Sequence, residues 1–194
     1  MSARRERSWV ELDAVAPLAG RVTDNHTHLP VAGLGDTGPG SDAPLDAAAL
    51  VTRAAAVGVA RLITSACELP TWSGTLDMAR SLRPVRAALG VHPNEAVLHA
   101  GILETGPDGL EHVPGPHHEI PLDEAMGLLE TAIRSHRELV VAVGETGMDL
   151  FRTGSRGAVA QQEAFRAHIA LAKELDLPLQ IHDRDAHAQC VEIL

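Results

Sequence analysis

Apolar positions along the chain obey two different periods in turn. Residues 21–25, 61–66, 85–90, 139–144 and 179–181 form short apolar runs of strand length. The run from Leu139 to Gly144 shows no alternation, as expected of a strand covered on both faces of a parallel sheet. Between the strands, apolar residues recur at helical spacing. An Ala-rich helix is expected over 45–57, closed by Gly58, and another over 76–82, stopped near Pro84. Leu122, Ala125, Met126, Leu129 and Ile133 form one stripe, and Phe165, Ile169 and Ala172 mark a helix over 158–175. Residues 186–194 read as the start of a further helix. Two stretches break the rhythm: a Gly/Pro/Asp/Ser-rich loop at 34–44, and 100–120, read as a surface insertion. Strands alternating with helices call for parallel β–α units.

Polar residues sit where such units place active sites. His26, His28, His92, Glu145 and His182 each fall at or just past the carboxyl end of an expected strand, and these ends share one face of a parallel sheet. In the first strand, Asp24, His26 and His28 project to the same side. Two imidazoles so placed can close on one ion, with Asp24 fixing their tautomer from behind. Mixed imidazole and carboxylate donors suit Zn, Mn and similar divalent ions.

Composition narrows the partners. The chain has 194 residues, 45% of them hydrophobic, enough for one domain over 1–194. A net charge of -10 excludes a broad basic nucleic-acid face, although bound ions can supply local positive charge. An aromatic content of 2% argues against base stacking. Eleven histidines direct attention to metal chemistry. Of these, His112, His117 and His118 are read first as solvated loop residues and second as extra ligands. Cys67 and Cys190 read as small buried hydrophobes. No apolar run approaches the roughly 20 residues of a membrane helix, and the first residues lack a secretory apolar core. A cytoplasmic protein without a membrane partner or a stable protein partner is expected.

Four motifs, taken together, carry a family resemblance: Asp24-Asn25-His26-Thr27-His28-Leu29, Gly90-Val91-His92-Pro93, Val143-Gly144-Glu145-Thr146-Gly147-Met148-Asp149 and Ile181-His182-Asp183-Arg184-Asp185-Ala186-His187. In that order they resemble the TatD family of metal-dependent deoxyribonucleases, among the amidohydrolase-like metallo-hydrolases. The resemblance implies a TIM-type (β/α)8 barrel, of which about the first five β–α units are present, and two divalent metal ions (Zn, Mn, Mg or similar). It implies that His26 and His28 bind one ion, His182 the other, and that Glu145 bridges them. His92 is implied on the substrate side, Asp24 as a supporting residue, and Arg184 as either a phosphate partner or a strand-end salt bridge. Asp185 and His187 are expected at a helix start. The implied activity is hydrolysis of phosphodiester bonds, often as a 3′-to-5′ exonuclease, with DNA as substrate and RNA as the second candidate. The family's further histidine after strand six and aspartate after strand eight have no counterpart here, and Asn94 stands where a second histidine is common. A C-terminally truncated chain is therefore expected, and an inactive metal-binding fragment is the alternative. A related hydrolase of C–N or ester bonds is the other alternative. It is disfavoured because Lys173, the sole lysine, falls inside a helix rather than at a strand end.

Overall fold

The computed structural model describes residues 15–31, 34 and 46–194. Most of the loop expected over 34–44, and the first residue of the helix expected over 45–57, lie outside them. Five parallel strands stand in chain order: β1 (Val22–Thr27), β2 (Val59–Ala66), β3 (Val85–Leu89), β4 (Val140–Asp149) and β5 (Leu179–Arg184). The crossovers carry α1 (Ala47–Ala56), α2 (Leu69–Ser81), α3 (Pro93–His99), α4 (Leu122–Ser135) and α5 (Ser155–Leu175), and α6 (His187–Ile193) follows β5. The sheet curls: the Gln180 side chain on β5 bonds Ser65 Oγ on β2 at 2.6 Å and donates to the Asn25 carbonyl on β1, at the opposite edge of the ladder.

Local signals explain most boundaries. The Asp46 carboxylate accepts the Ala48 amide at 3.0 Å and starts α1, and Gly58 ends the turn with φ +103°. The structure extends α2 back to Leu69, with Pro70 in its first turn where a missing N–H costs nothing. Helix α3 is an element the apolar pattern does not predict. The His92 imidazole caps it by accepting the Asn94 amide at 3.2 Å.

Strands β1, β4 and β5 run further than expected at their carboxyl ends, β1 by two residues to Thr27. Glu145 and His182 lie within β4 and β5, not beyond them. Gly144 and Gly147 make this possible. At either position a Cβ would collide with the β5 backbone, at the Gln180 and His182 carbonyls respectively, and both glycines have positive φ. The glycines thus let β4 and β5 close up where Glu145 meets His182 at 2.8 Å.

In the 100–120 segment it is the histidines that depart from expectation. The segment holds an antiparallel bridge between Thr105 and Glu111 and a 3-10 turn at Pro116–Glu119. Its histidines are not solvated: His112 is buried, the His118 side chain is 5% exposed, and His117 packs beside it.

The core lies between the sheet and the helices, built from Leu62, Val85, Leu89, Leu129, Ile133, Val140, Val143 and their neighbours. At its edge His168 on α5 is fully buried. Its Nδ1 donates to the Ala164 carbonyl at 2.7 Å and its Nε2 accepts the Val91 amide at 3.0 Å. That second bond steadies the backbone one residue before His92. Burial pushes the His168 pKa down to about 4. In the unfolded chain the imidazole titrates near 6.5, so its stabilising neutral form is complete above that pH and is lost as pH falls towards 4. The loss is on the order of 3 kcal/mol. His168→Leu leaves the Val91 amide without an acceptor and is expected to cost about 1–3 kcal/mol at pH 7.5. The melting temperature of the variant, followed by circular dichroism, should change less between pH 6.5 and 4 than that of the parent; an equally steep fall would contradict this.

Candidate metal centre

Glu145 is the centre of the constellation, and only 6% exposed. Its Oε2 lies 3.3 Å from His26 Nε2 and 3.3 Å from His28 Nε2, and the two imidazole nitrogens are 3.2 Å apart. Donors on a tetrahedral ion with bonds of about 2.0–2.1 Å stand about 3.3–3.4 Å from one another, so this triangle has the dimensions of a ligand face. The other oxygen, Oε1, meets His182 Nδ1 at 2.8 Å, and His92 Nε2 stands 3.2 Å from that same nitrogen. One carboxylate therefore faces two separate imidazole groups, His26 with His28 and His182 with His92. Mixed imidazole and carboxylate donors of this kind suit divalent metal ions.

Tautomers separate ligands from donors. His28 Nδ1 lies 3.2 Å from the Ser65 carbonyl and donates to it, leaving Nε2 free to bind. His182 Nε2 lies 3.2 Å from Asp149 Oδ2, which likewise leaves Nδ1 facing the centre. His92 is the reverse case. Its Nδ1 accepts the Asn94 amide, so the proton sits on Nε2 and that atom is a donor.

Electrostatics follow from the same contacts. Burial alone would raise the Glu145 carboxyl, but hydrogen bonds from His182 and His28 and the neighbouring His92 and His26 imidazoles outweigh it and hold the group far below the usual carboxylate range. The Glu145 hydrogen bond raises His28. His182 is lowered by burial and raised more strongly by Glu145 and Asp149, ending above its ordinary value. Burial and the neighbouring His182 push His92 down to about 4, so it is neutral at physiological pH.

All five strand-end residues expected in the site converge. Asp24 differs from expectation: its Oδ1 accepts the His26 backbone amide at 3.1 Å, so it shapes the main chain between the histidines, and the Ser65 carbonyl sets the His28 tautomer instead. Arg184 forms no salt bridge among the described residues; its guanidinium lies 4.1 Å over the Phe151 ring. Asp185 and His187 do lie at the start of α6, where His187 pairs with Asp183 at 2.8 Å.

Two participants were not anticipated. Asp149 is 1% exposed and binds His182, Asn94 Nδ2 (3.0 Å) and the Phe151 and Arg152 amides. The signal was available, since strand alternation places 145, 147 and 149 on one face. Cys67 is the other. It is not a buried hydrophobe but sits 3.5 Å from Glu145 Oε2, and burial beside that carboxylate raises its pKa and keeps it a thiol. Asp149→Asn should weaken metal binding about 10–100-fold by disturbing the His182 tautomer. Isothermal titration with Zn²⁺ checks this, and an unchanged affinity would refute the role.

Residues 23–194 match the family described as TatD related DNase. An uncharacterized metal-dependent hydrolase TatD of Mycobacterium tuberculosis is 34% identical over 177 residues, covering 89% of this chain and 55% of the relative. A protein of Yersinia pseudotuberculosis named 3′-5′ ssDNA/RNA exonuclease TatD is 37% identical over 114 residues, 48% of this chain and 42% of the relative. Among solved structures, the TatD homologue YjjV of Escherichia coli superposes with a TM-score of 0.57 at 29% identity, over 75% of this chain and 47% of that one. A TatD family hydrolase of Entamoeba histolytica gives 0.68 at 17% identity over 91% and 54%, a likeness of fold. The chain spans about half the length of the curated relatives it matches. It belongs to the TatD family of metal-dependent hydrolases, and its fold is that family's parallel β–α barrel, represented here by five β–α units.

Proposed function

We propose that this member of the TatD family hydrolyses phosphodiester bonds in single-stranded nucleic acid, working from the 3′ end, with Glu145 shared between two divalent ions. The supporting observation is the division of labour within one buried carboxylate, Oε2 towards His26 and His28 and Oε1 towards His182. The chemistry supplied by two bound divalent ions is activation of a water nucleophile and screening of phosphoryl charge. His26, His28 and Glu145 would hold one ion, and Glu145 and His182 the other. The protein's own groups do the rest. His92, neutral with its proton on Nε2, donates to a phosphoryl oxygen. Asp149 holds the His182 ring in place. Arg184, exposed at the end of β5, pairs with a flanking phosphate. Reading a strand end through a few contacts suits a chain of net charge -10, which lacks the basic surface for a long duplex grip.

The test is a side-by-side assay on a 5′-labelled single-stranded oligonucleotide and a cyclic amide, each with Mn²⁺ and after chelation. Stepwise shortening of the oligonucleotide that stops on chelation, with no amide turnover, is the expected result. Amide turnover without oligonucleotide cleavage would assign the site to C–N hydrolysis instead.

A further inference from the structure

Strand β5 carries three polar side chains in one row. Gln180 reaches across to Ser65 and the Asn25 carbonyl, His182 meets Glu145, and Arg184 follows two residues later. Alternation along the strand places all three on the side that holds the candidate metal centre, with Arg184 outermost, one step of about 6–7 Å beyond His182. Arg184 is exposed, and its guanidinium lies over the Phe151 ring at 4.1 Å.

That partner is a selective one. Acidic residues outnumber basic ones by 26 to 16 in this chain, yet Arg184 lies against a ring and not a carboxylate. Its neighbour Asp183 is taken by His187 at 2.8 Å. Among the described residues the other Phe and Trp rings, Phe165 and Trp72, are buried, and Phe151 alone is half-buried. The ring is tied to the centre through its own backbone. The Phe151 amide donates to Asp149 Oδ1 at 3.2 Å, and Asp149 Oδ2 lies 3.2 Å from His182 Nε2. The Leu150 amide donates to the Arg184 carbonyl at 2.9 Å, so ring and guanidinium rise from two joined segments.

We infer that Phe151 is a positioning residue for phosphate: it holds Arg184 flat over its ring, and the pair forms the subsite for a phosphodiester next to the one at the metal centre. This rests on the reading of the site as one that acts on nucleic acid. A carboxylate partner would occupy the in-plane N–H donors of the guanidinium. An aromatic face holds the group by its flat side and leaves those donors for a bidentate grip on phosphate oxygens. The ring face that Arg184 covers is closed to a nucleobase. Phe151 therefore acts through Arg184, by reducing the rotamer freedom that the arginine gives up on binding.

The experiment is fluorescence anisotropy of a 5′-labelled, single-stranded phosphorothioate oligonucleotide, which keeps the backbone charge and resists hydrolysis, titrated with the full chain in Mn²⁺. Arg184→Ala is expected to weaken binding at least about 10-fold. It should also lower the slope of log affinity against log salt by about 0.7, the share of one phosphate contact on a single strand. Phe151→Leu should weaken binding about 3–5-fold, and Phe151→Tyr, which keeps a ring, should bind as the parent does. The double variant decides between roles: once Arg184 is replaced by Ala, Phe151→Leu should cost nothing further. A further loss in that background would mean that Phe151 meets a base itself or merely shapes the loop, and would overturn the inference. Parent-like binding by Phe151→Leu would overturn it too, and would leave the reading of the Glu145 centre untouched. A parent chain that does not bind the oligonucleotide would remove the nucleic-acid reading and this inference with it. Phe151→Met replaces Phe151→Leu if circular dichroism shows the latter unfolded.

Discussion

Glu145→Gln is expected to lower phosphodiester hydrolysis at least about 10³–10⁴-fold, the equivalent of about 4–6 kcal/mol of lost transition-state stabilisation. The substitution keeps the side chain's shape but removes the only carboxylate among the described residues that faces both imidazole groups. In the proposed two-ion site neither ion would retain a full ligand set, so elemental analysis after dialysis should show both lost together. The effect reaches beyond catalysis. In the ion-free protein Glu145 is held ionised by His182, His28, His92 and His26, and a neutral glutamine leaves those imidazoles without their anion. Retention of both ions by the variant would show that Glu145 does not join them.

The double variant His26→Ala, His28→Ala is expected to lose one ion and keep the other. The remaining ion still has Glu145 and His182, with His182 braced by Asp149. Activity should fall about 10³-fold, because one clamp on the phosphoryl group is gone. The two variants therefore separate by stoichiometry before they separate by rate. Loss of both ions in the histidine variant would mean that the two positions are not independently held.

Much of this arrangement is legible along the chain, for physical reasons that differ between elements. Strands β2 and β3 are short apolar runs between helical stripes, and their burial is what their composition demands. Strands β4 and β5 are misjudged at one end. Beyond Val143 the text turns polar and glycine-rich, which hydropathy reads as loop, while the backbone continues as strand because Gly144 and Gly147 allow β5 to approach. The polar residues of β4 there, Glu145, Thr146 and Asp149, are buried rather than exposed to solvent. Helix α3 spans Pro93–His99, too short to reveal a period, and its cap is an imidazole rather than Ser, Thr, Asp or Asn.

The candidate ligands are recognisable because each sits near the carboxyl end of a strand, a position set by topology. What supports them was less visible. The Ser65 carbonyl that orients His28 belongs to a different strand, and the Cys67 thiol beside Glu145 lies just past the end of that strand. The histidines of the 100–120 segment look solvated by composition, and only the fold brings Glu95 beneath them. Pairings across dozens of residues leave no mark on local periodicity.

The measurement that bears most directly on the central claim is an anomalous-difference map from crystals of the chain grown with Zn²⁺. Two peaks on opposite sides of the Glu145 carboxylate, one against His26 and His28 and one against His182, are the predicted result. A single peak at Glu145, or an ion held by the histidines with the carboxylate turned away, would contradict the account of a shared carboxylate.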